Sequence, residues 1–433
     1  MGRRADHATR GVSDWDTGAG EGSGHNDGSW LSQRWCDAQR GGERHTPIRL
    51  RFRVSVAGES TDLQLHESSF TRGTTTCFGQ SLSNSREAEL MQVLMPGRIL
   101  ERHVGGNTTY ARTIAAGLRS RGVVVDPIGY GNNPISTLAR ETFAGLKRRG
   151  LGTVLHYVAD TGPLIPTRVP SVVTVHGVAS NWVSGVRSPR ADRIWRTRVK
   201  AAISCTNAVV TVSESSADDV ADVFGVDRHA ITVIRHGIDS AKFHARHSIS
   251  AEVGSKLPNE FILYVGNIEP RKNLIELVRA LKTPKLSGLR IPLVIAGKPA
   301  WDSDDAMTEI VSSEKVIYLG FVSEEDKIGL MQRCAAFVFP SKYEGFGFPV
   351  LEAMAAGAPV ISSSKGALRE VAGPSRITEE IGSDAIADCI HDALTDSDWL
   401  DHAGKLGRAW ASQFSWDDSV ESHLRVYRSV VDL

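Results

Sequence analysis

From Met91 onward, short apolar runs alternate with amphipathic stretches, and the runs fall into two series. The first comprises QVLM (92–95), VVVD (123–126), TVLHYV (153–158), SVVTV (171–175), AVVTVS (208–213) and ITVI (231–234). A polar stretch, roughly Asp239 to Asn259, interrupts the pattern. The second comprises FILYVG (261–266), PLVIAG (292–297), KVIYLG (315–320), AFVFP (336–340) and PVISS (359–363). Runs this short and this continuously apolar are strands buried on both faces, as in parallel sheets covered by helices. Two series with a polar break predict two doubly wound α/β domains, over residues 91–245 and 246–415. In such sheets ligands bind beyond the carboxyl ends of the strands. Motifs that directly follow a strand therefore bear most on function.

Residues 1–90 differ from the rest. GAGEGSGHNDGSW is rich in Gly, Ser and Asp, and no sustained period of 2 or 3.6 develops before Met91. The segment is expected to be disordered, with a small extra domain as the alternative. RLRFRVSVAG offers one strand with nothing after it, and the working protein could begin at Met91 or Met95. The 50 basic and 50 acidic residues balance, which argues against a partner held by net charge, such as nucleic acid. Five cysteines lie far apart with no CxxC or Cys/His spacing, so a structural zinc or a disulfide framework is not expected. No apolar run is long enough to span a bilayer, and the first residues do not form a signal peptide. A cytoplasmic protein is expected, in solution or at the inner face of the membrane.

Four motifs follow strands. In YEGFGFPVLEAMAAG, the loop after AFVFP leads into a helix expected over about Pro349–Ala356, with Pro in its first turn and Gly357 at its stop. Its unpaired amides and positive dipole end form an anion site. Gly345 and Gly347 allow close backbone approach. Glu344 can reach sugar hydroxyls, and Glu352 can accept hydrogen bonds from a ribose. On spacing alone the favoured reading is that Glu352 merely complements the dipole and Glu344 is a solvated loop residue. GNIEPRKN changes that balance: Arg271 and Lys272 stand together after a strand of the same domain, suited to a diphosphate, with Asn273 expected to cap the next helix. In the first domain, Gly105 and Gly106 precede a helix expected over Thr108–Arg121, where amides could meet the same diphosphate. His176, after SVVTV, could reach a sugar, although a lone histidine is more often structural. His236, in VIRHGID, is read as shaping the interdomain boundary.

Together these stretches resemble the family 4 glycosyltransferases, retaining enzymes of the GT-B fold. The matching segments are GGNTTYARTIAAGL, TVHG, VVTVSESS, VIRHGID, GNIEPRKN, AGKPAW, YLGFVSEED and FVFPSKYEGFGFPVLEAMAAGAPVISS, in family order from about Met91 to the C-terminus. The mannosyltransferase-like branch carrying G-x-L-E-P-R-K-N is the nearest in appearance. The resemblance implies two Rossmann-like domains facing a cleft and a last helix, 416–433, crossing back to the first domain. It implies that Arg271 and Lys272 hold the donor diphosphate, that Glu344 and His176 contact the donor sugar, and that Glu352 contacts the ribose. Amides near Phe348 and Val350, within the run Gly345, Phe346, Gly347 and Phe348, would meet phosphate. Gly105 and Gly106 would approach from the other side, and Phe321 and Val322 would lie beside the base. Many relatives carry Gly-Arg after the first strand of the second domain. Here the pair is Gly266-Asn267, so phosphate binding falls on Arg271 and Lys272.

The implied activity is transfer of a hexose, mannose or similar, from a nucleotide sugar such as GDP-mannose to a glycan, lipid-linked or small-molecule hydroxyl. A nucleotide-sugar 2-epimerase and a non-catalytic sugar-nucleotide binder are the alternatives. Asp302-Ser303-Asp304 and Asp396-Ser397-Asp398 match a pattern used elsewhere to hold Mn²⁺ or Mg²⁺, but neither lies in a phosphate loop. No metal or other cofactor is expected. VRSPRADRIWRTRVK (186–200) mixes Arg and Trp at near-helical spacing. It could touch anionic lipid, but a solvated helix face is the favoured reading.

Overall fold

The computed structural model describes residues 53–56, 59–62, 91–101 and 105–432. The chain divides into two units, 1–74 and 75–433. In the first, β1 (Arg53–Val56) pairs antiparallel with β2 (Glu59–Asp62). The strand expected in RLRFRVSVAG therefore exists, but it has a partner that the sequence did not reveal. The expectation of disorder for the remainder of 1–90 lies outside the described residues.

The second unit holds two six-stranded parallel sheets. The first contains β3 (Gln92–Pro96), β4 (Val124–Ile128), β5 (Thr153–Tyr157), β6 (Ser171–Val175), β7 (Ala208–Thr211) and β8 (Ile231–Val233), in the order β4-β3-β5-β6-β7-β8. The second contains β9 (Ile262–Val265), β10 (Leu293–Ala296), β11 (Val316–Gly320), β12 (Ala336–Phe339), β13 (Val360–Ser363) and β14 (Arg376–Thr378), in the order β11-β10-β9-β12-β13-β14. β3, β5, β6, β9, β10, β12 and β13 fall on the predicted apolar runs, and all seven have every residue, or all but one, buried. The edge strand β14 went unpredicted because it has three residues and is not continuously apolar. In the second sheet the order reverses between β9 and β12. That reversal sends their following helices to opposite faces and leaves a crevice at the carboxyl ends.

Three apolar clusters hold the unit together. One fills both faces of the second sheet. The other two lie on either side of the first sheet. One of these draws in the Trp416–Val431 helix, whose Val420, Leu424, Tyr427 and Val430 pack beside Tyr110, Ile114 and Val93. The last helix thus leaves the second domain and closes the core of the first. Close approach is made possible by Gly117: a Cβ there would lie 2.5 Å from Val420 Cγ2. A buried hydrogen-bond chain seals the contact. Tyr427 Oη bonds His156 Nδ1 at 2.7 Å, and Tyr110 Oη bonds His423 Nε2 at 2.7 Å. Among the described residues no helix is long and apolar enough to cross a membrane.

Leu424 is 3% exposed in this contact. Leu424→Ala should lower stability by about 2–5 kcal/mol, through lost burial and the cavity left behind. Urea unfolding measures it, and a change below about 1 kcal/mol would mean that the helix contributes little to the first core.

Candidate active site

The loops after β9 and β12 meet at the reversal of strand order. After β9 the chain makes a single 3-10 turn, Pro270–Lys272, that places Arg271 and Lys272 side by side. After β12 it runs through Tyr343 and Glu344 to Gly347, which begins the Phe348–Ala356 helix with φ 108°. The loops are joined by Lys342 N–H donating to the Arg271 carbonyl at 2.8 Å. Arg271 Nη1 donates to Glu344 Oε2 and Lys272 Nζ donates to Glu344 Oε1, each at 2.6 Å. Arg271 also donates through Nε and Nη2 to Glu269 Oε1, at 2.9 and 2.6 Å, and through Nη1 to the Tyr343 carbonyl. The Lys272 ammonium lies 4.7 Å from the centre of the Phe339 ring.

Sequence reasoning left both cations free for an anion. The structure corrects this, because each is already paired and the four side chains carry two positive and two negative charges. What remains for a ligand is directional. A guanidinium has five N–H groups and an ammonium three, so about one is left on Arg271 and two on Lys272. Burial alone would raise the Glu344 carboxyl pKa, but the charges of Arg271 and Lys272 overcome it and hold the group at about 2. Burial, and then the charge of Arg271, draw Lys272 below the usual lysine range.

The helix start after Gly347 has no side-chain cap. Val350 N–H is engaged within the turn, by the Gly347 carbonyl at 3.1 Å. Phe346 is buried and packs edge-on to His236, while Phe348 stacks on the same imidazole at 5.0 Å. Gly106 of the first domain reaches this point, since a Cβ there would lie 3.8 Å from the Phe348 ring, whereas a Cβ on Gly105 would meet nothing within 4 Å. The Gly106–Arg119 helix thus starts two residues earlier than predicted. Gly266 lies against the neighbouring loop, since a Cβ on Gly297 would fall 1.9 Å from its carbonyl oxygen.

His176 also reaches the seam. Its carbonyl oxygen would be 2.0 Å from a Cβ on Gly345, so only glycine lets the β12 loop press there. Its Nε2–H donates to the Val158 carbonyl at 2.9 Å, which fixes the tautomer and turns that nitrogen away from a substrate. Two further residues lie apart from the cluster. Glu352 pairs with Lys327 at 3.0 Å on the neighbouring Glu324–Arg333 helix. Phe321, 67% exposed beyond β11 and followed by half-buried Val322, has the Lys298 ammonium 4.2 Å over its ring. Asn273 does not cap by its side chain. It adopts φ 62° and donates Nδ2–H to the Ile381 carbonyl at 2.8 Å. Asp396 caps the Ser397–Ala411 helix and pairs with Arg376. Among the described residues no group of three His, Cys, Asp or Glu is placed to hold a metal ion.

Several seam residues carried no sequence signal. Ser213 and Ser216 hydroxyls donate to the Gly345 carbonyl, at 2.9 and 3.1 Å. Tyr343 Oη donates to Asp219 Oδ2 at 2.7 Å and accepts from Val178 N–H at 3.1 Å. Glu370 of the second domain accepts from Glu214 and Ser215 amides at the start of the Glu214–Phe224 helix, at 3.0 and 2.7 Å. That places a carboxylate on the positive end of a helix in the facing domain.

Comparison with known proteins agrees with this geometry. The family described as Glycosyl transferases group 1 matches residues 246–410, and Glycosyltransferase Family 4 matches 152–242. The two parallel-sheet domains share the GT-B fold, and the matched stretches are similar to glycosyltransferases. It is 37% identical over 174 residues to the O-antigen chain mannosyltransferase B of Escherichia coli, covering 39% of this chain and 45% of that protein. It spans about half the length of the curated relatives it matches. Sucrose-phosphate synthase from Thermosynechococcus elongatus shares the fold with TM-score 0.61 at 20% identity, over 78% of this chain and 98% of that one. Anabaena Alr3699/HepE, solved in complex with UDP-glucose, does so with TM-score 0.59 at 18% identity, over 79% and 100%.

Glu344→Gln keeps the shape but removes the charge between two buried cations. A loss of about 3–5 kcal/mol in unfolding free energy is expected. In the unmodified chain the Glu344 pKa is depressed on folding. Its stabilisation is therefore complete above the unfolded value of about 4.3 and fades as pH falls towards 2. Denaturation curves across that pH window, for both proteins, measure this. A Gln variant with the same acid dependence would remove Glu344 as its source.

Proposed function

We propose that the chain transfers a hexose, mannose in the first instance, from a nucleotide-diphosphate sugar to an acceptor hydroxyl, with retention at the anomeric carbon. GDP-mannose is the proposed donor, and a glycan, lipid-linked or small-molecule alcohol the acceptor. The observation that carries this reading is the Arg271–Lys272–Glu344 cluster, which stands at the reversal of strand order in the second sheet. The relative named a mannosyltransferase supports the choice of sugar.

The chemical problem is the departure of a nucleoside diphosphate from an anomeric carbon. Charge builds on the leaving phosphate oxygen as that bond breaks. Fixed donors in a site closed to water stabilise this charge without reorganising. Lys272 is held by Glu344 and is almost fully buried, so its remaining N–H groups are oriented before a ligand arrives. Arg271 is fixed by bonds to three partners. In the proposed step the acceptor oxygen attacks from the face that the diphosphate leaves. The carbon–oxygen bond to phosphate breaks, the new glycosidic bond forms, and the acceptor proton passes to the departing phosphate. No protein nucleophile takes part. The serine bonds to Gly345 tie the two domains together, which would position the two substrates.

Lys272→Ala should reduce turnover about a hundredfold or more, in the range found for removing a preformed transition-state donor. Release of nucleoside diphosphate measures it, and near-wild-type turnover in a folded variant would reject the role. A thermal-shift screen of nucleoside diphosphates and their sugars tests the donor. GDP and GDP-mannose should give the largest stabilisation, and a larger shift with UDP or UDP-glucose would replace guanine by uracil. Turnover should persist in EDTA. Loss on chelation with recovery on adding Mn²⁺ would establish a metal requirement.

A further inference from the structure

We propose that Trp182 is a stacking platform for a pyranose ring of the acceptor, which assigns the acceptor to the saccharides. This rests on the transferase reading above and names the substrate that the first domain presents. Trp182 follows the 3-10 turn Ala179–Asn181, in the loop after β6 that His176 begins. Its side chain is 62% exposed. An indole on a surface loop would ordinarily turn freely, but this one is fixed from two sides. Nε1–H donates to Asp219 Oδ1 at 2.8 Å, and the ring lies 12° from parallel to Tyr343 with centroids 6.3 Å apart.

Asp219 is itself a buried carboxylate, 5% exposed, and its other oxygen takes the Tyr343 hydroxyl. Burial raises its pKa, and the Tyr343 and Trp182 bonds oppose that rise. One buried acid therefore orients an exposed ring of the first domain and the residue that directly precedes Glu344. Further along, the same loop approaches the β10 loop: a Cβ on Gly185 would lie 3.7 Å from the Trp301 ring. The exposed indole thus stands at the seam between the domains, anchored one residue from the charged cluster.

The chemistry selects the ligand. A rigid aromatic face gives contact area at little entropic cost, and it suits a flat apolar surface with a polar edge. The neighbouring exposed loop residues Asn181 and Ser184 are polar, as are half-buried Ser180 and Arg187. An alkyl chain would need a continuous apolar groove. A sugar ring presents a C–H face to the indole and hydroxyls to the surrounding polar groups.

Saturation-transfer NMR with α-1,2-mannobiose and maltose tests the platform without turnover. Ring protons of at least one sugar should take up saturation from the wild-type protein. Trp182→Ala should weaken that binding about tenfold, while Trp182→Phe, which keeps a flat ring but loses the N–H, should retain most of it. No saturation with either sugar on the wild type would overturn the proposal. So would equal saturation in wild type and Trp182→Ala, or a loss in Trp182→Phe as large as in Trp182→Ala. Melting temperatures identify a variant that has lost its fold, and Trp182→Phe then decides alone. Release of GDP from GDP-mannose without acceptor is measured separately. That release is expected to be slow, and it is compared with release in the presence of a panel of acceptor alcohols and saccharides. No acceptor-dependent release in the wild type would sink the transferase reading while leaving the saccharide platform to stand on its own result.

Discussion

A single buried carboxylate organises the cleft. Glu344 lies between Arg271 and Lys272, each at hydrogen-bond distance. Adjacent cations on one turn repel one another, and burial strengthens that repulsion because little solvent is present to screen it. Glu344 and Glu269 together cancel the charge and fix both side chains in one arrangement. In the proposed reaction the cluster would meet a diphosphate as a neutral set of aimed donors rather than as a pool of positive charge. Its selectivity comes from direction, and the dipole of the uncapped 348–356 helix adds the remaining attraction.

That arrangement depends on the order of strands in the second sheet. β9 and β12 are neighbours in space but far apart in sequence, and the loops that follow them meet where the strand order reverses. Residues 271 and 344 come together only because of this pairing. The same loop then supplies the seam to the first domain. Tyr343 reaches Asp219, Gly345 takes two serine hydroxyls, and Phe348 meets the Gly106 position. Sheet topology thus brings the charged cluster and the domain contact together at one six-residue stretch, 343–348.

Much of this was legible in the sequence because burial on both faces leaves a strong imprint. β10 and β12 are apolar throughout, and β5, β6, β9 and β13 carry only uncharged Ser, Thr, His or Tyr among their apolar residues, so they were found. The Phe348–Ala356 helix was found within one residue, from Pro349 and Gly357. Side-chain partners were not legible. Nothing local to Glu352 indicates Lys327, and nothing local to Tyr343 indicates Asp219, since each pair forms across separate elements. Asn273 misled because the residue type suits a cap, whereas a left-handed backbone turned its side chain to Ile381. The pairing of Arg271 and Lys272 was missed for a related reason. Sequence shows which charges follow a strand, but it does not show which of them neutralise each other.

The docking of the Trp416–Val431 helix bears on how the chain matures. Residues 246–411 build the second sheet and its helices from one continuous segment, whereas the first core stays open until Leu424 and Tyr427 arrive. During synthesis, the half that leaves the ribosome first is therefore the half completed last. The donor-side domain can close on its own while its predecessor waits with part of its apolar surface uncovered, a state that invites assistance by chaperones.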